Sequence, residues 1–145
     1  MRGVVLTVAS LLLFAGCASV PLATPEQDGE AKRFIPKADV ARLYIYRNPQ
    51  LAGASAICPI TVNGRSVGSL KNGTFVVEAV GPGFSQITAG LGSSQNQASV
   101  SCAVGQICFV STGFVGHGIG PPEMVQVSTD VGQSDVQRLE LIKPQ

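Results

Sequence analysis

Tryptophan is absent from the chain, and aromatic residues of any kind make up only 6% of it. The core must therefore be built mainly from Val, Ile, Leu and Phe. Charge is scarce as well: Asp, Glu, Lys and Arg are 13% of the residues, ten basic against nine acidic. So even a balance argues against nucleic acid as a partner, because that affinity rests on an excess of Lys and Arg over the phosphates' charge. It also argues against anionic lipid as the main means of attachment. No uncharged apolar run approaches the ~20 residues that carry a helix across a bilayer. Histidine occurs once, at His117.

The one apolar run of note covers residues 4–14, broken only by Thr7 and Ser10 and preceded by Arg2. Its length is that of a signal-peptide hydrophobic region. Ala15, Gly16 and Cys17 follow it, and "FAGC" resembles the bacterial lipobox, with Phe14 where leucine is usual. The resemblance implies that residues 1–16 are removed, that the Cys17 thiol takes a diacylglycerol, and that the new amine is acylated, with palmitate as the expected kind of chain. One acyl chain binds a membrane only marginally, whereas two or more anchor it stably. The alternatives are an unlipidated signal or a buried free cysteine. Ala18 stands where aspartate would retain the protein at the inner membrane, so the expected place is the outer membrane, facing the periplasm. Cleavage removes Arg2 and leaves nine basic against nine acidic side chains.

Residues 17–38 read as the lipidated N-terminus and a flexible tether: three prolines, scattered charges and no period. An alternative packs Phe34 and Ile35 as a first edge strand. Residues 39–145 read as one β-rich domain, because Gly and Pro number 26 together in the whole chain, β-branched residues are frequent and no long 3.6-residue period occurs. In "ARLYIYRN", Leu43 and Ile45 alternate with Tyr44 and Tyr46. In "SAICPITV", Pro59 cannot donate to a ladder, which predicts an edge position or a bulge there. Asn63-Gly64 predicts a type I′ hairpin turn and Asn72-Gly73 a second tight turn. Gly81-Pro82-Gly83 and Val104-Gly105 separate further short strands. The expected fold is all-β, a mainly antiparallel β-sandwich or a small barrel of hairpins. Residues 134–142 predict either a short C-terminal helix capped by Ser134 or one more strand.

The stretches "ARLYIYR", "VNGRSVGSL", "KNGTFVVEAVGPG" and "GQICFVST" make residues 41–113 similar to the bacterial lipoprotein family called domain of unknown function 2846. That resemblance implies a small β-rich domain behind a lipid anchor, and it brings no catalytic residue.

Three cysteines remain besides Cys17, in an oxidising compartment. Cys102 and Cys108 lie symmetrically about Gly105, so a hairpin centred there sets them opposite each other within disulfide reach. Closing that short loop is worth ~2 kcal/mol, against ~4 for a bridge from Cys58 to either. The Cys102–Cys108 pair is favoured on geometry; a Cys58 bridge and three free thiols stay open. Cys58, Cys102, Cys108 and His117 form an acceptable zinc set by type. Against this, there is no C-x₂-C knuckle, and His117 sits in the glycine-rich "GFVGHGIGPP" with no carboxylate nearby. No metal or other cofactor is therefore expected.

Gly53-Ala54-Ser55-Ala56 begins like a nucleophile elbow but ends in Ile57 rather than Gly. No phosphate loop or dinucleotide fingerprint occurs. The expectation is a membrane-anchored envelope lipoprotein that is not an enzyme. Its β-rich domain would bind or assemble with an envelope protein, through the 113–122 loop or a strand edge near Pro59. The alternative is a periplasmic small-ligand or metal-binding protein using His117 and the cysteines.

Overall fold

The computed structural model describes residues 19–145. Cys17, its lipidation and the segment 1–16 lie outside the described residues. Among the described residues nine strands fall into two sheets. β1 (Ala41–Arg47), β4 (Thr74–Val80), β7 (Ile107–Gly113), β8 (Glu123–Val127) and the two-residue β9 (Glu140–Leu141) form one sheet, in the order β8-β7-β1-β4-β9. β2 (Cys58–Val62), β3 (Arg65–Leu70), β5 (Phe84–Ala89) and β6 (Asn96–Ser101) form the other, in the order β3-β2-β5-β6. Helices α1 (Pro25–Ala31) and α2 (Thr129–Val136) add a third, partial layer. The fold is a β-sandwich with two short helices.

The alternation in β1 decides the layering. Leu43 and Ile45 face the second sheet, where they pack with Ile60, Leu70, Val76, Ile87 and Val110. Tyr44 and Tyr46 face the other way, into a cluster with Phe75, Phe109, Val136 and Leu139 under the helices. β1 is thus buried on both faces, as a central strand flanked by two sheet neighbours and covered twice should be. Most neighbours are antiparallel, but β1 pairs β7 in parallel and β4 pairs β9 in parallel.

Asn63 and Gly64 take φ of 50° and 78°, the two positive values that a type I′ turn needs, and they join β2 to β3 as a hairpin. Asn72-Gly73 also turns tightly, yet it leads from one sheet to the other, since β3 and β4 belong to different sheets. Pro59 is not at an edge: β2 lies between β3 and β5. Its missing N–H costs nothing because Pro59 precedes the first residue paired to β5, Ile60, and its carbonyl accepts from Gly90 at 3.0 Å. The register shift lies one residue further on, between Ile60 and Thr61, and the extra residue is Val67 of β3. Gly68 beside it has φ +125°, and a Cβ there would collide with Ile142.

Two expectations are corrected at the termini. Residues 21–38 are not a free tether: Ala23 and Pro21 pair by backbone with Leu141 and Lys143, and α1 docks on the sheet with Ala31 buried. A capping box starts α1, Thr24 accepting from the Gln27 N–H and Gln27 from the Thr24 N–H. Asp28 fixes the helix by accepting from the Leu141 N–H at 2.8 Å. Phe34 and Ile35 do not form a strand; Phe34 has φ 50° and its ring packs on Tyr44 and Phe109, at 5.4 and 5.7 Å between centroids. At the other terminus α2 starts after Ser128 rather than Ser134, and the strand alternative also holds, as β9.

Candidate functional site

The period of two in β1 puts Arg47 on the same face as Leu43 and Ile45, at the strand's end. There its side chain is fully buried, at 0% exposure. No carboxylate meets it. Instead the guanidinium donates to the carbonyls of Ala56, at 2.6 Å, and Gly53, and stacks over the Phe114 ring at 4.9 Å. Its Nε has no partner among the described residues. Burial lowers its pKa from the ordinary arginine value, and the adjacent Cys58 opposes that shift. Gln50 completes the clamp: its side chain donates to the Phe114 carbonyl at 2.6 Å and accepts from the Phe114 N–H at 3.3 Å. Its backbone is held in turn by Asn72, in both directions at 2.9 and 3.1 Å. The loops after β1 and after β7 are therefore tied together by the buried Arg47 and the half-buried Gln50.

The sequence candidates divide around this clamp. Cys58 is buried beside Arg47; desolvation raises its thiol from 9.0, with Arg47 and the Gly90 N–H pulling the other way. A thiol kept protonated there is a packing group rather than a nucleophile. His117 is exposed on the loop after β7. Cys102 and Cys108 are bonded to each other, with Cα atoms 6.0 Å apart. The pair is the favoured one but its setting differs: β6 and β7 are not a hairpin, and the bond joins the two sheets where the chain crosses between them. Two of the four alternative zinc donors are consumed in that bond. Among the described residues no group of three His, Cys, Asp or Glu side chains is placed to hold a metal.

Sequence reasoning missed two features. One is Arg47, whose position on the apolar face was legible from the alternation. The other is a groove of about 460 Å³ between α1, β4 and the C-terminal tail. Val77, Ala79 and Leu141 line its floor, Glu26 and Glu30 one wall, and Lys37 and Arg42 the other. Arg42 is held in that wall by donating to the Ile35 carbonyl at 2.9 Å and lying 5.3 Å over Tyr44. The groove exists because β9 is so short. It covers β4 only opposite Thr74 and Phe75, and the Phe75 carbonyl accepts from Ile142 on that side. By strand alternation the backbone polar groups of Val77 and Ala79 point the same way, where no further strand lies among the described residues.

Beneath α2 a second polar cluster is closed. Asp135 accepts from Tyr46 at 2.8 Å, Asn48 at 2.9 Å and Arg138 at 2.7 Å. Burial first, and the bond to Asp135 second, push the Tyr46 phenol well above its ordinary value. With its acceptors spent in this way, the cluster locks α2 to β1.

A protein of Haemophilus influenzae described only as "Uncharacterized protein" is 26% identical over 133 residues, which cover 90% of this chain and 78% of that one. The family model described as "Protein of unknown function (DUF2846)" matches residues 37–125, from just before β1 into β8. That match takes in more than half of the chain and nearly the whole sandwich, and the chain belongs to this family.

Proposed function

We propose that the chain is a lipid-anchored protein of the bacterial envelope, held at the periplasmic face of the outer membrane by acyl chains on Cys17. Its sandwich serves as a binding or assembly module for another envelope protein, without catalysis of its own. The observation that carries the module is the groove along the open edge of β4. It offers an apolar floor, unpaired strand polarity at Val77 and Ala79, and charges of both signs on its walls. An extended protein segment satisfies all three, adding a strand by backbone pairing while its alternate side chains enter the groove.

The anchor and the module are tested together in intact cells. A photo-crosslinking residue at Ala79, exposed on the groove floor, is expected to capture an envelope protein that the same residue at Arg65 does not. The Cys17→Ser chain is expected to leave the membrane fraction or to stay unprocessed. Unchanged membrane attachment of Cys17→Ser overturns the anchor. The absence of any adduct specific to Ala79, together with a measured turnover, overturns the module.

A further inference from the structure

We infer that the end of the sandwich opposite the Arg47 clamp sits on the bilayer, with Phe84 as its lipid-contacting side chain, an inference that rests on the lipid-anchor reading for its occupant. At that end β4 finishes at Val80, β1 begins at Ala41, β5 begins at Phe84 and β6 finishes at Ser101. The loops that carry Leu51, Leu91 and Ile119 lie at the other end, after β1, β5 and β7.

The route of the chain selects the end. β9 runs parallel to β4, with Leu141 beside Phe75. The N-terminal segment runs antiparallel to β9. The Ala23 N–H donates to the Leu141 carbonyl at 2.9 Å, the Lys143 N–H donates to the Pro21 carbonyl at 2.8 Å, and Leu22 faces Ile142. Followed backward from Ala23 to Pro21, the chain therefore travels as β4 does, from Phe75 towards Val80. The C-terminal residues lead the same way: Ile142 lies against Gly68, and Gln145 accepts from the Ser66 hydroxyl at 3.2 Å, next to the Asn63-Gly64 turn.

Reach then sets the height of the bilayer. In the β9 register Ile142, and Leu22 with it, stands level with Val76. From Val76 to Val80 the strand rises ~13 Å. From Leu22 back to Cys17 the chain spans at most ~17 Å. Acyl chains on Cys17 therefore meet the domain at about the height of residues 81–84, because the pairing of Pro21 and Ala23 removes the slack of a free tether. What stands there suits a lipid surface. Phe84 is 77% exposed, and it is the one exposed aromatic ring among the described residues. Its strand pairs with Ser101, which brings the turn holding the exposed Pro82 beside the turn holding Val104, 40% exposed. Residues 80–84 and 101–107 contain no Lys, Arg, Asp or Glu. A ring in the interface adds apolar burial to that of the acyl chains and fixes how the domain stands. The groove along β4 then opens sideways above the bilayer, and the loop end points into the periplasm.

Because the chain has no tryptophan, one placed by substitution reports alone. The full chain, purified from membranes, is reconstituted in neutral phosphatidylcholine vesicles with or without bromines on the acyl chains. Phe84→Trp is expected to lose emission in the brominated vesicles. Ile119→Trp and Leu51→Trp, 91% and 97% exposed in the parent chain, are expected to keep it. Equal emission loss for Phe84→Trp and Ile119→Trp, or loss for Ile119→Trp alone, overturns the orientation. The mass of the peptide carrying Cys17 and flotation of each variant with the vesicles report the anchor separately. An acylated, floating chain with unquenched Phe84→Trp keeps the anchor and overturns the seat at Phe84. A bare Cys17 with quenched Phe84→Trp overturns the anchor and keeps the seat.

Discussion

The guanidinium of Arg47 lies 4.9 Å from the centre of the Phe114 ring, joining the end of β1 to the loop after β7 across the mouth of the sandwich. The same group holds the carbonyls of Gly53 and Ala56, so one buried cation without a carboxylate organises two loops. Removing it leaves a cavity and two orphaned acceptors, each orphan alone costing about 1–3 kcal/mol. Arg47→Ala is therefore expected to lower stability by about 2–4 kcal/mol, within the range of large core effects. It should also expose residues 50–56 and 114–120 to protease before the strands are cut. Urea unfolding and limited proteolysis check this. A loss below about 0.5 kcal/mol, the size of an ordinary surface substitution, would show that the loops are held by other means.

How far these features were legible in the sequence follows from what each signal encodes. Period-two alternation in β1, the Asn63-Gly64 turn and the Cys102–Cys108 pairing are local, and the structure keeps all three. A turn signal says that the chain reverses without saying whether it returns to its own sheet. Asn72-Gly73 and Val104-Gly105 both cross between sheets, so hairpin logic gave a correct cysteine pair for a geometry that does not occur. The 17–38 segment read as a tether because its prolines and charges outweighed Thr24 and Gln27, whose spacing is that of a capping box. Short β9 and the groove it leaves depend on contacts across more than sixty residues, from Thr74 to Glu140, and no local pattern marks them.

Cysteine chemistry gives a count that separates the disulfide from the lipid. In the native fold Cys58 is 1% exposed and Cys102 is bonded to Cys108, so neither site is expected to react with a thiol reagent. Denatured without reductant, the acylated chain is expected to show one thiol, from Cys58. A second thiol would identify an unmodified Cys17. Replacing both Cys102 and Cys108 by Ser opens a loop with a sequence separation of 6. The expected loss is about 2 kcal/mol, the entropy of so short a closure. Denaturant midpoints check the size, and no change would place the bond outside the folded state's constraints.

Alkaline pH should act through three buried acids. Burial raises the Cys58 thiol from 9.0 and the Tyr44 phenol from 10.0; Tyr46 is raised further by burial and by its bond to Asp135. In each case the folded protein keeps a proton that the unfolded chain has already released. Unfolding then releases protons, and by linkage stability falls as pH rises. The contribution is whole below the unfolded values and is lost as pH climbs through the folded ones. Loss should begin near pH 9.0 with Cys58 and steepen from 10.0 as the tyrosines join. Urea midpoints measured upward from neutral pH are expected to show that two-stage decline. Cys58→Ala should flatten the first stage and leave the second. Tyr44→Phe should flatten part of the second, at the cost of the bond its hydroxyl donates to the Ala31 carbonyl at 2.7 Å. A wild-type midpoint that stays level past pH 10.0 would mean these groups titrate in the fold as they do in the open chain.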